Sequence, residues 1–310
     1  MNTSCCRPAS GGGYAGAIFL FLCNNISVRL LASAGGRSKP SDYESTVEGM
    51  LFVSSHQEII LDQFTKQAVP FSSAPAMKDE SALRLLVQFS EASSRDSVLD
   101  VACGPGIVVC AFASAVAHAT GIDLTPAMIE RARILQAEKG LANVSWLIGD
   151  INPLPYSSGS FSIVTSRYAF HHLENPKDTL AEMKRVCKAG GKVVLADVVA
   201  SAIPERADAF NRMERLRDPS HVRSLTIPEI HEIFGQVGLP NPRVTSYRVE
   251  AELERLLRVS FPNEGDTERV RQMIVDSLDT DGMGVNTRVE DGMVWFSYSI
   301  AVFLAKKPDA

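Results

Sequence analysis

Residues 98–106 read Val98-Leu99-Asp100-Val101-Ala102-Cys103-Gly104-Pro105-Gly106. The apolar run 98–102 is typical of a buried strand, and residues 107–117 have the composition of a helix. Two glycines between a strand and a helix let a ligand approach the backbone, because a Cβ atom there would collide with it. The stretch therefore predicts a ligand-binding turn at the carboxyl end of a strand.

The alternation of strand and helix continues to about residue 198. Residues 125–140 carry the clearest helix signals, with Thr125 at the N-cap, Pro126 at the first helical position and Gly140 just past the end. Near-continuous apolar strands between helices are typical of a parallel sheet covered on both faces. Further strands are predicted at 119–123, 144–148, 161–166 and 192–198, and a further helix at 175–188.

Segments on both sides of this core also have regular patterns. Helices at 56–67 and 77–91 would pack on the core or cover a cofactor. Downstream, Thr226 and Glu229 form a capping box for a helix that ends near Val237. Strands are then predicted at 243–249 and 293–305, with helical stretches between them near 250–259 and 266–278.

Acidic residues follow three successive predicted strands at their carboxyl ends. Asp100 lies beside the glycine turn, Asp123 ends the next strand about 20 residues after Gly104, and Asp150 ends the third. Ligands of open α/β sheets bind at this edge, and a carboxylate at the position of Asp123 reads ribose hydroxyls. The alternative interpretation is that the three acids are solvated loop residues.

Asp100 bears on the choice of cofactor. NAD and FAD would place a pyrophosphate over this turn, and the carboxylate would repel that anion. S-adenosylmethionine carries an ammonium and a sulfonium and no phosphate, so it suits an acid there. Val109 also stands where a dinucleotide motif has its third glycine. We expect S-adenosylmethionine as the cofactor, and a nicotinamide-dependent oxidoreductase is the alternative.

At these residues the chain resembles the class I S-adenosylmethionine-dependent methyltransferases. It is most similar to the group that includes the ubiquinone and menaquinone C-methyltransferases and many small-molecule tailoring enzymes. The resemblance covers residues 56–240, and Ser162 departs from it where the family often has Asp. The matching pieces are 99–106, 121–128, 149–150, 154–156, 160–164, 171–173 and 188–192.

The resemblance implies an α/β fold with a Rossmann-like, seven-stranded, mostly parallel sheet, helices on both faces and an antiparallel last strand. It implies methyl transfer to an O, N or C nucleophile of a small molecule, such as a quinone, another aromatic compound or a secondary metabolite. Asp100 and the 104–106 backbone would hold the methionine part, Asp123 the ribose, and Leu124 and Met128 the adenine. The full expected cofactor set adds Ala102, Cys103, Gly104, Gly106, Gly149, Asp150, Ile151 and Ser166, with Asp150 and Ile151 at the adenine edge.

Candidate proton acceptors follow the fourth predicted strand. Methyl transfer depends mainly on alignment of nucleophile and methyl, and a base is needed only when the nucleophile must lose a proton. We predict Tyr168, His171 or His172 for that role, because His titrates near neutral pH. The alternative is that a His only packs or caps the turn. Adjacent side chains diverge, so we expect no metal site there.

Residues 199–222 follow the fifth strand, where the family places a substrate lid. Phe210, Met213 and Leu216 recur every three residues, with charged residues between them. One interpretation is a helix with a solvated charged face. The other is a cover over the substrate in which an Arg meets an anionic group.

Composition limits the function classes. The 310-residue chain has a formal net charge of −5, whereas proteins that wrap a phosphate backbone have a basic surplus. We therefore expect a small-molecule substrate and no nucleic-acid partner. The six cysteines form no C-x-x-C pair, which favours a reducing compartment and no zinc site. A non-catalytic protein that keeps the cofactor fold for binding is the third functional alternative.

The first 45 residues differ from the rest. Residues 1–41 hold four basic residues and no acidic one, and their longest apolar run is too short to span a bilayer. We interpret residues 1–45 as a disordered or targeting extension, or as the result of a start codon upstream of Met50, and residues 46–310 as the methyltransferase domain.

Within the methyltransferase domain we expect a helical cap at 55–92, a core at 97–198, a lid at 199–222 and closing elements at 226–305. The predicted location is the cytoplasm, or the mitochondrion if the extension is a transit peptide. Oligomeric state and acceptor identity stay open.

Overall fold

The computed structural model describes residues 55–309, so the interpretation of residues 1–45 lies outside the described residues. One mixed sheet forms the centre of this part of the chain, with the strand order β3-β2-β1-β4-β5-β8-β6 and a short β7 paired with β8. The strands are β1 (Ser97–Val101), β2 (His118–Asp123), β3 (Val144–Ile148), β4 (Phe161–Arg167), β5 (Cys187–Val198), β6 (Arg243–Glu252), β7 (Arg288–Glu290) and β8 (Met293–Lys306).

The sheet confirms the expected fold class. β1 to β5 pair in parallel, and β8 runs antiparallel between β5 and β6. The three-residue β7 is an addition that the sequence did not indicate. Asp100 in β1 pairs with Gly121 in β2 and Thr165 in β4, so the carboxyl ends of these strands meet at one edge.

Helices cover the sheet. Within residues 55–309 they are α1 (His56–Ser73), α2 (Glu80–Phe89), α3 (Ile107–Ala113), α4 (Pro126–Glu138), α5 (Pro176–Val186), α6 (Pro204–Arg217), α7 (Ile227–Gln236), α8 (Leu253–Val259) and α9 (Asp266–Asp276). Two 3₁₀ turns, Pro75–Lys78 and Phe170–His172, complete the order. The Thr226–Glu229 capping box of α7 is present as predicted. α3 is shorter than predicted, because the chain turns at Ser114–Ala117 before β2. No helix in this part of the chain is long and apolar enough to cross a membrane.

Two apolar clusters bury the faces of the sheet. Phe112 of α3 is fully buried in the cluster on one face, and Phe234 of α7 in the cluster on the other. Each buried aromatic of this size contributes about 1.5–3 kcal/mol relative to an exposed one. The central strands are therefore apolar on both sides, which accounts for their near-continuous apolar sequence.

A third cluster lies beside the carboxyl edge of the sheet and includes α6. Phe210 and Met213 of α6 are buried there against residues of α8, α9 and β8. Arg212 and Arg215 are exposed, whereas Glu214 on the same helix is buried. The charged residues of α6 therefore divide between solvent and the interior, and the interpretation of a wholly solvated charged face is wrong.

Candidate active site

A first cavity of about 230 Å³ lies at the carboxyl ends of β1, β2 and β4, under α1. This is the position that the strand-end acids predicted. Of the residues expected to bind the cofactor, it is lined by Asp100, Ala102, Cys103, Gly104, Asp123, Leu124, Met128, Asp150 and Ile151. The three acids thus line one cavity, where Asp100 and Asp123 are buried and Asp150 is exposed at its surface.

Gly104 lies in the wall of this cavity, with open space beside its Cα atom. Its φ is +52°, a left-handed conformation that favours glycine, and a Cβ atom built there would meet nothing within 4 Å. Its amide donates a hydrogen bond of 2.8 Å to Oδ2 of Asp123. The space beside Gly104 is therefore free for a ligand, while its backbone is fixed by the next strand.

Gly106 has a different reason to be glycine than the sequence predicted. A Cβ atom there would lie 2.4 Å from the ring of Trp146 and 2.8 Å from Cβ of Ala132. Gly106 also does not belong to the lining of the first cavity. Close packing of α3 against α4 and β3 requires this glycine, and its role at the cofactor stays a prediction.

Asp100 carries a polar atom that the protein leaves without a partner. The residue is buried, and Oδ1 has no hydrogen-bond partner among residues 55–309. Burial raises the pKa of Asp100 to about 8, the charge of Arg167 lowers it and the charge of Asp123 raises it. An unpartnered buried carboxyl costs free energy, and an ammonium group placed beside it would remove that cost.

Asp123 is held by two backbone donors. Oδ1 accepts from the amide of Thr125 and Oδ2 from the amide of Gly104, both at 2.8 Å. Burial raises the pKa of Asp123, and these hydrogen bonds offset part of the rise. Each carboxylate oxygen can accept more than one hydrogen bond, so both can still receive ribose hydroxyls.

Thr125 occupies the N-cap of α4 as predicted, but its side chain makes no cap hydrogen bond. Its Oγ1 is buried without a partner among residues 55–309, and the residue lines the first cavity. The predicted N-cap position of Thr125 is therefore confirmed, without a hydrogen bond from its side chain to the helix. The hydroxyl is instead a second unpartnered group at the cavity.

The Asp150 side of the first cavity is covered by α1. Gln57 of α1 donates a hydrogen bond of 2.8 Å to Oδ2 of Asp150. Gly149 and Ser166 do not belong to the lining. The amide of Gly149 donates to the carbonyl of Asp123, and Oγ of Ser166 donates to the carbonyl of Val101. Both groups hold strands together, and their contacts with a cofactor stay predictions.

A second cavity of about 180 Å³ adjoins the first. Four residues line both: Phe64 and Phe71 of α1, and Tyr168 and His172 after β4. The remaining wall of the second cavity comes mainly from α1, α6, α8, β6 and β8, with further residues from β5, both 3₁₀ turns and the segment after α6, and it is mainly apolar. Molecules bound in the two cavities would meet at the four shared side chains.

Two of the three proposed bases are poorly suited to take a proton. The hydroxyl of Tyr168 is hydrogen-bonded to that of Tyr247 at 2.7 Å, and burial raises the pKa of Tyr168 far above its usual range. Nδ1 of His172 lies 3.1 Å from both the hydroxyl and the carbonyl of Ser220. Burial and the charge of His171 lower the pKa of His172 to about 3.

His171 is placed differently from its neighbour. It lines only the second cavity, and its Nδ1 lies 2.5 Å from Oδ1 of Asp197 at the end of β5. Burial disfavours a charged ring, but the charge and hydrogen bond of Asp197 outweigh it and raise the pKa of His171. Asp197 was missed in the sequence, although the strand-end rule that selected Asp100, Asp123 and Asp150 also applies to it.

Buried ion pairs form the far wall of the second cavity. Arg217 lies 2.6 Å from Oε2 of Glu214, and the hydroxyl of Tyr298 donates to Oε1 of Glu214 at 2.8 Å. Asp218 accepts hydrogen bonds from Gln67 and from Ser220. Arg217 is thus neutralised within the protein and is not free to meet an anion, contrary to the lid interpretation. Within residues 55–309 no group of three or more His, Cys, Asp or Glu is arranged to hold a metal.

Comparison with known proteins agrees with this geometry. Residues 99–195 match the methyltransferase domain family. The uncharacterized methyltransferase YcgJ of Bacillus subtilis is 34% identical over 171 residues, which cover 55% of this chain and 68% of YcgJ. The ubiquinone/menaquinone biosynthesis C-methyltransferase UbiE of Bdellovibrio bacteriovorus is 29% identical over 164 residues, which cover 51% of this chain and 69% of UbiE.

Solved structures share the fold over most of the chain. A candidate methyltransferase from Bacillus halodurans C-125 superimposes with a TM-score of 0.68 at 29% identity, and the match covers 74% of this chain and 99% of that one. The crystal structure of YcgJ gives the same TM-score at 24% identity, covering 74% of this chain and 100% of YcgJ. The chain therefore shares its fold with solved structures of proteins described as methyltransferases.

Proposed function

The chain belongs to the class I S-adenosylmethionine-dependent methyltransferases, and on that basis we propose that it methylates a small molecule bound in the second cavity, with S-adenosylmethionine bound in the first. The observation that carries the proposal is the wall shared by the two cavities, formed by Phe64, Phe71, Tyr168 and His172. Family membership also sets aside the nicotinamide-dependent oxidoreductase.

The first cavity has the donors and acceptors that S-adenosylmethionine requires. The unpartnered carboxyl of Asp100 would accept from the ammonium, and Asp123 would accept from the ribose hydroxyls. Leu124 and Met128 would pack beside the adenine, and Asp150 would lie at its edge. When bound, S-adenosylmethionine supplies an activated methyl group.

The protein contributes alignment and exclusion of water. α1 lies over both cavities and is tied down at Gln57 to Asp150 and at Gln67 to Asp218. Proximity of two oriented reactants accounts for a large part of the rate gain in such a transfer. A nucleic-acid acceptor does not fit the net charge of −5 or an acceptor cavity with enclosing apolar walls.

The test fills the second cavity and leaves the first one intact. Leu256 of α8 lines only the second cavity, so Leu256→Trp adds bulk there, and Leu256→Met is the matched control. S-adenosylhomocysteine binding is measured by calorimetry. Methyl transfer is measured from tritiated S-adenosylmethionine to a panel of small apolar alcohols, phenols, amines and carbon acids.

We expect the wild type and both variants to bind S-adenosylhomocysteine alike, and Leu256→Trp alone to lose transfer. Undiminished transfer by Leu256→Trp would place the acceptor elsewhere. Cofactor binding without transfer to any panel member would favour the non-catalytic binding protein, and absence of cofactor binding by the wild type would refute the proposed function.

A further inference from the structure

Asp197 holds His171 in one orientation. Oδ2 of Asp197 accepts from the amide of Phe170, and Oδ1 accepts from the amide of Val198, both at 2.6 Å. The carboxylate is thus fixed by the backbone before it meets the ring of His171. Because a carboxylate can only accept, Nδ1 of His171 is the donor in their hydrogen bond.

The other ring nitrogen of His171 is available. Nε2 has no hydrogen-bond partner among residues 55–309, and the ring lines the second cavity. A neutral imidazole that donates from Nδ1 has its lone pair on Nε2. His171 therefore carries an unpaired proton acceptor on a ring that lines the second cavity, and its other nitrogen is held by a carboxylate.

The charged groups in the wall of the second cavity are already paired. Glu214 is neutralised by Arg217, and Asp218 accepts from Gln67 and Ser220. Glu250 pairs with Arg288 at 2.8 Å. Arg217 is paired with Glu214, so an anionic acceptor would find no free cation in this wall. Asp218 is held by neutral donors, but the remaining lining is mainly apolar, and burial of any charged acceptor there would cost desolvation free energy. The cavity therefore suits a neutral molecule.

Ser224 adds a second free polar group. Its hydroxyl is buried without a partner among the described residues, and the residue lines the second cavity. Its amide donates to Oδ1 of Asn211 and its carbonyl accepts from Nδ2 of the same side chain, so its backbone is fixed. A polar group of a ligand in the second cavity could satisfy this hydroxyl.

We propose that His171 is the general base and that the acceptor is a neutral, largely apolar molecule whose nucleophile is a hydroxyl group, such as a phenol or enol. The inference rests on the proposed function, because it requires the acceptor to lie in the second cavity. As the acceptor oxygen bonds to the methyl carbon, its proton moves to Nε2. The carbon–sulfur bond breaks, and its electron pair stays on the sulfur. Asp197 is a positioning residue that faces the imidazolium charge.

The charged groups around His171 determine how turnover should depend on pH. The ionisable groups that face it are Asp197 from β5, Glu214 and Asp218 from α6 and its end, and His172 and His221 from the adjoining turns. The pKa values of His172 and His221 are lowered by burial and by the neighbouring charges, so these rings stay neutral. The base form of His171 is lost below its raised pKa, so turnover should fall as the pH drops through that pKa, at a higher pH than for an ordinary imidazole.

The binding test uses the full chain saturated with S-adenosylhomocysteine and three probes of one shape: 4-propylphenol, 4-propylbenzylamine and 4-propylbenzoate. We expect the phenol to bind and to shift the ¹⁵N resonance of Nε2 of His171, and the two ions to bind more weakly. His171→Gln and Ser224→Ala should each weaken phenol binding by about 5–10-fold, as loss of one hydrogen bond would. His118→Gln, at an exposed imidazole in β2, is the matched control.

The second measurement is an NMR pH titration of the wild type, which needs no altered residue at His171. The pKa of His171 should lie above its ordinary value and should fall in Asp197→Asn, because the neutral amide no longer stabilises the imidazolium. The rate of methyl transfer to a hydroxyl acceptor should also be measured against pH. The pH below which this rate falls should be lower in Asp197→Asn than in the wild type.

Stronger binding of either ion, or no phenol binding to protein that binds S-adenosylhomocysteine, would overturn this inference and leave the proposed function standing. An unchanged His171 titration in Asp197→Asn would also overturn the assigned pair. Loss of cofactor binding by the wild type would instead refute the proposed function.

Discussion

Asp123 and Gly104 join the ends of two neighbouring strands, because Oδ2 of Asp123 accepts the amide hydrogen of Gly104 at 2.8 Å. The same carboxylate orders the start of α4 through the amide of Thr125. One side chain therefore shapes the glycine turn and presents oxygen acceptors to the first cavity. Substitution of Asp123 should therefore weaken cofactor binding through both the shape of the turn and the loss of the oxygen acceptors.

Asp123→Ala should weaken binding of S-adenosylhomocysteine by about 10–100-fold, since hydrogen bonds to a charged group contribute about 1.5–3 kcal/mol. Asp123→Asn keeps one acceptor oxygen and should lose less. Calorimetry measures both, and Asp276→Ala on the exposed face of α9 is the control. Equal affinity of wild type and Asp123→Ala would exclude a ribose-binding role.

Asp100 should make cofactor binding depend on pH. Its pKa of about 8 keeps the free carboxyl largely protonated at neutral pH, whereas an ammonium ligand favours the ionised form. Binding should therefore release a proton, and affinity should rise with pH up to about 8. Calorimetry in buffers of different ionisation enthalpy measures the release. Asp100→Asn should abolish it, and a wild-type enthalpy independent of the buffer would contradict this assignment.

Alanine should have different main effects at the two glycines: weaker cofactor binding at Gly104 and lower stability at Gly106. Both have positive φ, which costs an alanine about 1–2 kcal/mol. Gly106→Ala adds a collision with Trp146 and Ala132, for a further cost of about 1–3 kcal/mol in the free energy of unfolding. Gly104→Ala meets open space and should instead weaken S-adenosylhomocysteine binding.

Urea unfolding and calorimetry on this pair of variants separate the two roles. A larger loss of stability in Gly104→Ala than in Gly106→Ala would show that the assigned roles of the two glycines are wrong.

Substitutions of Glu214 and Arg217 should have non-additive effects on the free energy of unfolding, because the two side chains form a buried ion pair. Arg217→Met leaves Glu214 without its cation in the interior and should lower the free energy of unfolding by about 3–5 kcal/mol. Glu214→Gln combined with Arg217→Met removes both charges and should recover part of that loss. Urea unfolding of the two single variants and the double variant gives the coupling energy, and additive losses would contradict a direct pair.

Much of the fold and the first cavity could be predicted from local patterns. The Val98–Val101 run, the glycine turn and the acids at strand ends depend on residues close in sequence, and parallel strands necessarily bring Asp100, Asp123 and Asp150 to one edge. Gly106, Gly149 and Ser166 were assigned to the cofactor for the same local reason. All three also contact neighbouring protein groups, and the sequence did not show this, because packing partners from other elements do not appear in a local pattern.

The sequence by itself determined the α/β alternation, the sheet edge at which a ligand binds and a cofactor without phosphate. Only the tertiary structure decided which of the two histidines in the second cavity is paired with a carboxylate, because that depends on Asp197, 26 positions away in the chain. Likewise, α1 closes the second cavity through a hydrogen bond from Gln67 to Asp218 across 151 positions. Periodicity and spacing report which residues share a face of one element, whereas these contacts arise only when separate elements pack together.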